Sequence, residues 1–196
     1  MKLLVFGSSH AKRLMWYDKA KFCRIKDTPV KFYYNHNSGK SFEYFLENPT
    51  EIDRALKICP DFIVVIFGGN SINFASDKQS LIRPCTQFYD LLRSKLNRIN
   101  PNAIVIATPV TRRYIYDGSH DTPPPGRFLK LRDYINDRIR TLKNTDYVLR
   151  ITGPKNLDNE SCLTDGVHYD DSGHKFLRDK IINKIAYHLY PEDFKN

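Results

Sequence analysis

Short apolar runs alternate along the chain with longer amphipathic segments. Each apolar run is rich in β-branched or aromatic residues and is bounded by turn-forming residues, which is typical of strands. The run at 62–67 is unbroken, as in strands that are covered on both faces. The strands predicted in this way cover 2–6, 29–34, 62–67 and 103–108, with a weaker fifth at 147–151.

The segments between these strands place apolar residues at helical spacing. Ser38 is the expected N-cap of the second helix, and Pro84 restricts the start of the fourth. Strands separated by helices of this length imply crossover connections and a parallel sheet. The predicted helices cover 11–16, 40–46, 51–57, 80–99, 127–143 and 176–189. We therefore predict an α/β fold with three αβα layers around a flavodoxin-like, open parallel sheet of about five strands.

Composition adds limits on size, partners and location. With 196 residues and 41% hydrophobic content, the chain is long enough for one well-buried core, and we expect a single domain over 1–196. A formal net charge of +9 indicates attraction to an anionic partner, whether nucleic acid, a membrane surface or an acidic substrate.

The cysteines form no CxxC pair, so neither a zinc cluster nor a redox dithiol is expected. The N-terminal apolar run is too short for a signal peptide and no stretch reaches membrane-spanning length, which favours an intracellular, cytoplasmic protein.

The turn after the first strand carries the leading candidate nucleophile. Gly7, Ser8 and Ser9 follow the strand directly, and helix-compatible residues come next. Open α/β sheets bind their ligands at the carboxyl ends of strands. A serine there has its hydroxyl facing the crevice and its amide at a helix N-terminus, where the amide can stabilise an oxyanion. Ser9 is therefore either a nucleophile or, with Ser8, an ordinary helix cap.

Two further positions at strand ends can supply oxyanion donors. Gly39 follows the second strand and would offer a backbone N–H at the start of a helix. The alternative is a turn glycine, present only because its backbone can adopt dihedral angles that other residues avoid. Asn70 follows Gly68 and Gly69 at the end of the third strand, so its side-chain amide can donate at the same edge of the sheet. An asparagine that serves a left-handed turn is the alternative.

The base that a nucleophilic serine requires is predicted near the C-terminus. Asp165 and His168 lie three residues apart in a tight turn, so the carboxylate can bind one ring nitrogen while the other faces Ser9. The other histidines, apart from His174 beside two aspartates, lack an acid at a suitable spacing and are expected to be solvent-facing or structural. No paired spacing indicates a metal site. The long segment 109–126, rich in Pro and Gly, is expected to be a lid or binding loop.

These blocks together resemble the SGNH (GDSL-type) hydrolase superfamily, over a stretch from 5 to about 177. The last block is the most specific, because Asp-x-x-His just before a Gly-containing helix start is not an ordinary turn composition. Two positions depart from the family pattern, since Ser8 and Ser71 stand where the family commonly has aspartates. The matching blocks are 6–9, Gly39, 68–71, and 165–168 followed by 172–174.

The resemblance implies a role for each of the candidate residues. Ser9 would be the nucleophile, His168 the base and Asp165 the acid that orients it. Gly39 and Asn70 would be oxyanion donors, together with the Ser9 amide. No cofactor and no metal are implied.

Two functions are weighed on these grounds. The leading prediction is a serine esterase, acetylesterase-like, that hydrolyses a small ester through an acyl-enzyme. The rival is a catalytically weak or inactive SGNH-like module that binds RNA or another polyanion through its basic surface, as some members of the superfamily do. The net charge of +9 supports the rival. The joint presence of Ser9, Asn70, Asp165 and His168 favours the enzyme.

Overall fold

The structure is a computed structural model. It describes residues 1–113, 123–152, 157–158, 160–165 and 167–194. Residues 114–122, the middle of the predicted loop 109–126, therefore lie outside the described residues, and only the two ends of the loop can be placed. Among the described residues, no helix is long and apolar enough to cross a membrane.

Within this described part, six strands form one sheet. They are β1 (Lys2–Gly7), β2 (Phe22–Ile25), β3 (Thr28–His36), β4 (Phe62–Ile66), β5 (Ile104–Ala107) and β6 (Tyr147–Val148). Their order across the sheet is β2-β3-β1-β4-β5-β6. Every pairing is parallel except that of β2 with β3. The predicted α/β class with three αβα layers is confirmed, and the sheet, predicted as parallel with about five strands, has six strands of which one pairs antiparallel.

The extra strand, β2, is an edge strand that the sequence pattern did not reveal. It forms an antiparallel hairpin with β3, and Lys26 in the turn adopts a positive φ of 50°. Phe22 and Arg24 are exposed, and only Ile25 is buried. An edge strand with so little burial needs no apolar run, and the basic Arg24 interrupts the apolar pattern, so the sequence does not indicate this strand. At the opposite edge, β6 is shorter than the predicted strand 147–151.

The described residues form seven α-helices that pack on the two faces of the sheet. Their bounds are α1 (Ser9–Tyr17), α2 (Phe42–Glu47), α3 (Pro49–Leu56), α4 (Gly69–Phe74), α5 (Lys78–Ile99), α6 (Pro125–Arg140) and α7 (Asp171–Leu189). Successive side chains of β1 point to opposite faces of the sheet, so this strand contributes to the core on both sides. Leu3 and Val5 pack with α1 and α7, whereas Leu4 and Phe6 pack with the helices of the other face.

The start of α5 differs from the prediction. The helix begins at Lys78 because Asp77 and Ser80 form a capping box, in which Asp77 Oδ1 accepts from the Ser80 amide at 2.8 Å and Ser80 Oγ accepts from the Asp77 amide at 3.0 Å. Pro84 lies inside the helix instead of limiting its start.

The segment between β3 and α2 differs as well. The prediction that Ser38 caps the second helix is wrong, since α2 begins at Phe42 and Ser41 occupies the N-cap position. The amide of Phe42 donates to the buried hydroxyl of Ser71 at 2.9 Å. The donor at this helix start is thus satisfied from α4, a short helix where the sequence indicated only a turn.

Candidate active site

Ser9 lies at the tip of the central strand, where β1 turns into α1. Ser8 occupies the N-cap position, and its amide donates to the Ile66 carbonyl at 3.0 Å. The turn is tight because residue 7 is a glycine. A Cβ on Gly7 would stand 2.6 Å from Ala11 Cβ and 2.9 Å from the Ile66 carbonyl oxygen. Ser9 thereby starts a helix directly above the carboxyl edge of the sheet.

Ser9, His168 and Asp165 form a continuous hydrogen-bonded chain. Ser9 Oγ lies 3.0 Å from His168 Nε2, and His168 Nδ1 lies 2.9 Å from Asp165 Oδ2. The amide of His168 also donates to Asp165 Oδ1 at 2.7 Å. Because a carboxylate only accepts, Nδ1 carries the proton, and the lone pair of Nε2 faces the serine hydroxyl. This is the arrangement in which an imidazole can take the proton of a nucleophilic serine.

Asp165 is held in its ionised form. Partial burial opposes ionisation, but hydrogen bonds from the His168 amide, the His168 ring and the Val167 amide outweigh it, so the pKa of Asp165 lies well below its usual range. The guanidinium of Arg13 lies 3.4 Å from Oδ2 and adds a positive charge beside the carboxylate. His168 therefore keeps an anionic partner across the working pH range.

Asn70 reaches the same cleft from the end of β4. Its Nδ2 donates to the Lys40 carbonyl at 3.2 Å, which fixes the amide plane and leaves the second N–H of Nδ2 for another acceptor. The backbone turns sharply just before it, at Gly68 with a φ of +118°. A Cβ at Gly68 would stand 2.6 Å from Val110 Cγ2, so only glycine fits there.

Gly39 is the one predicted site residue that does not line this cleft. It lies in the turn after β3 with a φ of +76°, and no atom lies within 4 Å of a Cβ built on it. Its neighbour Lys40 contacts Asn70 instead. The role of Gly39 as an oxyanion donor thus stays a prediction.

Ser71 has a structural task that the sequence did not disclose. Its hydroxyl is fully buried, accepts from the Phe42 amide at 2.9 Å and donates to Glu43 Oε2 at 3.2 Å. It ties α4, which carries Asn70, to the start of α2. Ser71, one of the two departures from the pattern of the resembling family, thus supports α4 through its hydroxyl.

The cleft has a volume of about 450 Å³ and is open at the carboxyl edge of the sheet. Besides the predicted residues, its walls include His10, Asn73 and Arg113. Arg113 Nη1 donates to Asn73 Oδ1 at 3.1 Å, and the guanidinium lies over the Phe128 ring. These three residues carried no motif signal, although the position of His10 directly after Ser9 could have drawn attention to it. No group of three or more metal-binding side chains occurs in the part of the chain that the structure describes.

Several solved structures with the same fold are named as lipases or esterases. A GDSL-like lipase from Bacteroides thetaiotaomicron matches with a TM-score of 0.66 and 15% identity, covering 94% of this chain and 88% of its own. A carbohydrate esterase of family 3 from Talaromyces cellulolyticus matches with a TM-score of 0.64 and 15% identity, covering 94% of this chain and 96% of its own. A lipase/acylhydrolase from Enterococcus faecalis matches with a TM-score of 0.58 and 18% identity, covering 95% of this chain and 96% of its own.

At these identities the likeness is one of fold. It confirms the predicted resemblance to the SGNH (GDSL-type) hydrolases at that level. Comparison of the sequence with protein-family models and with curated proteins finds no match.

Proposed function

We propose that the protein is a serine ester hydrolase of the SGNH type, with Ser9 as nucleophile, His168 as general base and acid, and Asp165 as its orienting carboxylate. The observation that carries the proposal is the hydrogen-bonded chain from Ser9 Oγ through His168 to Asp165, open to a cleft. Capping alone does not account for Ser9, since Ser8 holds the N-cap position and Ser9 is the first residue of α1.

Acylation begins when Ser9 Oγ attacks the acyl carbonyl carbon and its proton passes to His168 Nε2. The carbonyl oxygen becomes an oxyanion, which the Ser9 amide and the second N–H of Asn70 Nδ2 would stabilise. The tetrahedral intermediate then collapses, the bond to the alcohol oxygen breaks, and His168 returns the proton to that oxygen. The acyl group remains on Ser9 as an ester.

Deacylation repeats these steps with water in place of the serine. Water attacks the acyl-enzyme while His168 Nε2 accepts a proton from it. The new oxyanion accepts hydrogen bonds from the same donors. Collapse then breaks the ester bond to Ser9 Oγ, which recovers its proton from His168. The products are one carboxylic acid and one alcohol, and no cofactor is required by this balance.

The walls of the cleft favour a short acyl group. Its apolar lining residues Ile66, Phe67 and Val110 are each at most 8% exposed, so they offer little surface to a long hydrocarbon chain. Polar groups, such as those of Asn73 and Arg113, lie beside them in the same cleft. We therefore propose acetyl or similarly small esters as substrates. The likeness in fold to a carbohydrate esterase supports this choice.

Steady-state hydrolysis of p-nitrophenyl acetate tests the proposal. Ser9→Ala should lower kcat by about a thousandfold or more, because no nucleophile remains. Ser8→Ala is the matched control, since it removes the neighbouring hydroxyl, which makes no cap hydrogen bond. Equal rates for Ser9→Ala and the wild-type protein would reject the proposal.

A second candidate function, binding of RNA or another polyanion, has one specific observation in its favour. Trp16 is 58% exposed, and the ammonium group of Lys12 lies 4.9 Å from the centre of its ring. Arg13 and Lys19 lie with Trp16 around a second opening. Bases stack on such exposed aromatic rings while cations bind the phosphates.

Trp16 is the single tryptophan of the chain and reports such binding directly. If the surface binds RNA, oligouridylate should quench the fluorescence at low salt, and the quenching should weaken steeply as salt is raised. Unchanged fluorescence at every salt concentration would reject this candidate.

A further inference from the structure

His10 is a histidine of the cleft that the proposed mechanism does not use. It follows Ser9 in the first turn of α1 and lines the cleft together with His168. Its ring packs against that of Tyr169, with centroids 4.4 Å apart, and lies 5.4 Å from the ring of His168. Tyr169 is itself fixed by a hydrogen bond of 2.8 Å between its hydroxyl and Thr111 Oγ1. The position of the His10 ring is thus set by packing.

The two ring nitrogens of His10 are not equivalent. Nδ1 is buried and has no hydrogen-bond partner, whereas Nε2 is not among the buried unpartnered atoms. Because His10 lines the cleft and its Nδ1 is buried, Nε2 is the ring nitrogen that can face the cleft. A buried N–H without an acceptor costs more than a buried lone pair, so the proton of a neutral ring belongs on Nε2. The ring then turns an N–H donor toward the cleft.

The ring stays neutral in the working enzyme. Burial, and secondarily repulsion by His168, His174, Arg113 and Arg13, lowers the pKa of His10 to about 3. A neutral ring does not compete with His168 for the proton of Ser9. It provides a fixed hydrogen-bond donor beside the base.

The side of the cleft on which His10 lies decides which part of the substrate it meets. His168 must hand its proton to the departing alcohol oxygen, so the alcohol lies on the side of His168, away from the donors at Ser9 and Asn70. The ring of His10 lies 5.4 Å from that of His168, which is near enough for it to meet the alcohol part of the substrate.

We infer that His10 is a specificity-determining residue that donates a hydrogen bond from Nε2 to an oxygen of the alcohol part of the substrate. This inference rests on the proposed esterase function. The substrates it selects are small esters of oxygen-bearing alcohols, such as polyols or sugars, in preference to esters of plain alkyl alcohols.

A matched pair of substrates tests the inference. 2-Methoxyethyl acetate and n-butyl acetate differ only in an ether oxygen that replaces one methylene group of the alcohol. The ratio of kcat/KM for the ether over that for the butyl ester should fall about three- to tenfold in His10→Phe, since one hydrogen bond is lost while the ring contact with Tyr169 is kept.

His174→Phe is the control for this measurement. His174 packs on the same Tyr169, with centroids 5.8 Å apart, but it lines the second opening and not the cleft at Ser9. The ratio should not change in this variant. An unchanged ratio in His10→Phe, or an equal fall in both variants, would overturn the role of His10.

Failure of the inference is distinguishable from failure of the proposed function. If Ser9→Ala hydrolyses both acetates like the wild-type protein, the esterase proposal itself is wrong. If Ser9→Ala is inactive but His10→Phe leaves the ratio unchanged, only the role of His10 is wrong.

Nitrogen-15 NMR of the histidine rings in the wild-type protein requires no variant. It should find the proton of His10 on Nε2, and a proton on Nδ1 would contradict the inference.

Discussion

Asp165 shows at the residue scale how a hydrogen bond to the ring selects one tautomer of His168. Its Oδ2 accepts from the ring and its Oδ1 from the His168 amide, so the second hydrogen bond fixes the carboxylate against the ring. Asp165→Asn keeps the size of the side chain but can present an N–H to Nδ1, which favours the wrong tautomer. We expect kcat for p-nitrophenyl acetate to fall by about a thousandfold or more.

Asp170→Asn is the control for this substitution. Asp170 caps α7 through the Gly173 amide at 2.7 Å, a task that asparagine also performs well. This variant should keep its activity. A kcat in Asp165→Asn within tenfold of the wild-type value would show that the carboxylate does not orient the base.

His174 allows a prediction on pH and stability. Burial, the largest cause, lowers its pKa from 6.5 to about 4, and its side chain is 4% exposed. Between these values the unfolded chain binds a proton that the folded protein does not, so stability falls as the pH falls. From pH 7 to pH 5 this histidine should cost about 2 kcal/mol of unfolding free energy.

Urea denaturation at both pH values measures this loss. His174→Phe retains a ring between Tyr17 and Tyr169 and removes the titrating group. The variant should therefore lose about 2 kcal/mol less than the wild-type protein over this interval. Equal losses in the two proteins would show that His174 does not account for the pH dependence.

Some of the site could be predicted from single residues and some could not. The spacing of Asp165 and His168 is local, so the sequence is enough to pair them. The neutral state of His10 depends on burial against Tyr169, which arrives from the far end of the chain. The hydroxyl bonds of Ser71 depend likewise on the position of α2. Neither contact leaves a local pattern.

At the scale of elements, one buried ion pair joins α1 to α7 and β3. Asp18, the C-cap of α1, accepts from Arg178 Nε at 3.0 Å and from the Tyr34 hydroxyl at 2.6 Å. The side chain of Asp18 is only 3% exposed. Asp18→Ala would leave the partly buried guanidinium of Arg178 without its carboxylate and the Tyr34 hydroxyl without its acceptor, so the free energy of unfolding in urea should fall by about 3 kcal/mol.

The pair Lys175–Asp179 on α7 provides the comparison. It lies on the surface, where an ion pair adds little to stability. Asp179→Ala should leave the urea midpoint unchanged. If Asp18→Ala were as stable as Asp179→Ala, the buried pair would not hold α1 in place.

The length and burial of an element decided whether the sequence could predict it. The long helices α5 and α6 and the buried strand β4 show strong periodicity or an unbroken apolar run. The short helix α4 and the edge strand β2 bury too few residues to produce either signal. Their positions follow from contacts with neighbouring elements.

At the scale of the whole molecule, the order of the strands brings the site together. The chain leaves β1 toward β3 on one side and later enters β4 on the other, so the loops after β1 and β4 diverge and leave a crevice between them. Ser9 follows β1 and Asn70 follows β4. The alternation of strands and helices in the sequence was enough to predict this edge, because parallel strands place all their carboxyl ends there.

Covalent trapping of the nucleophile tests the central claim most directly. The wild-type protein is incubated with a fluorophosphonate and digested with trypsin, and the peptide from Leu3 to Lys12, which carries both Ser8 and Ser9, is fragmented in the mass spectrometer. We expect one phosphonyl group, on Ser9, and none in Asp165→Asn after the same short exposure. A wild-type protein that stays unlabelled, or a label on Ser8, would contradict the account.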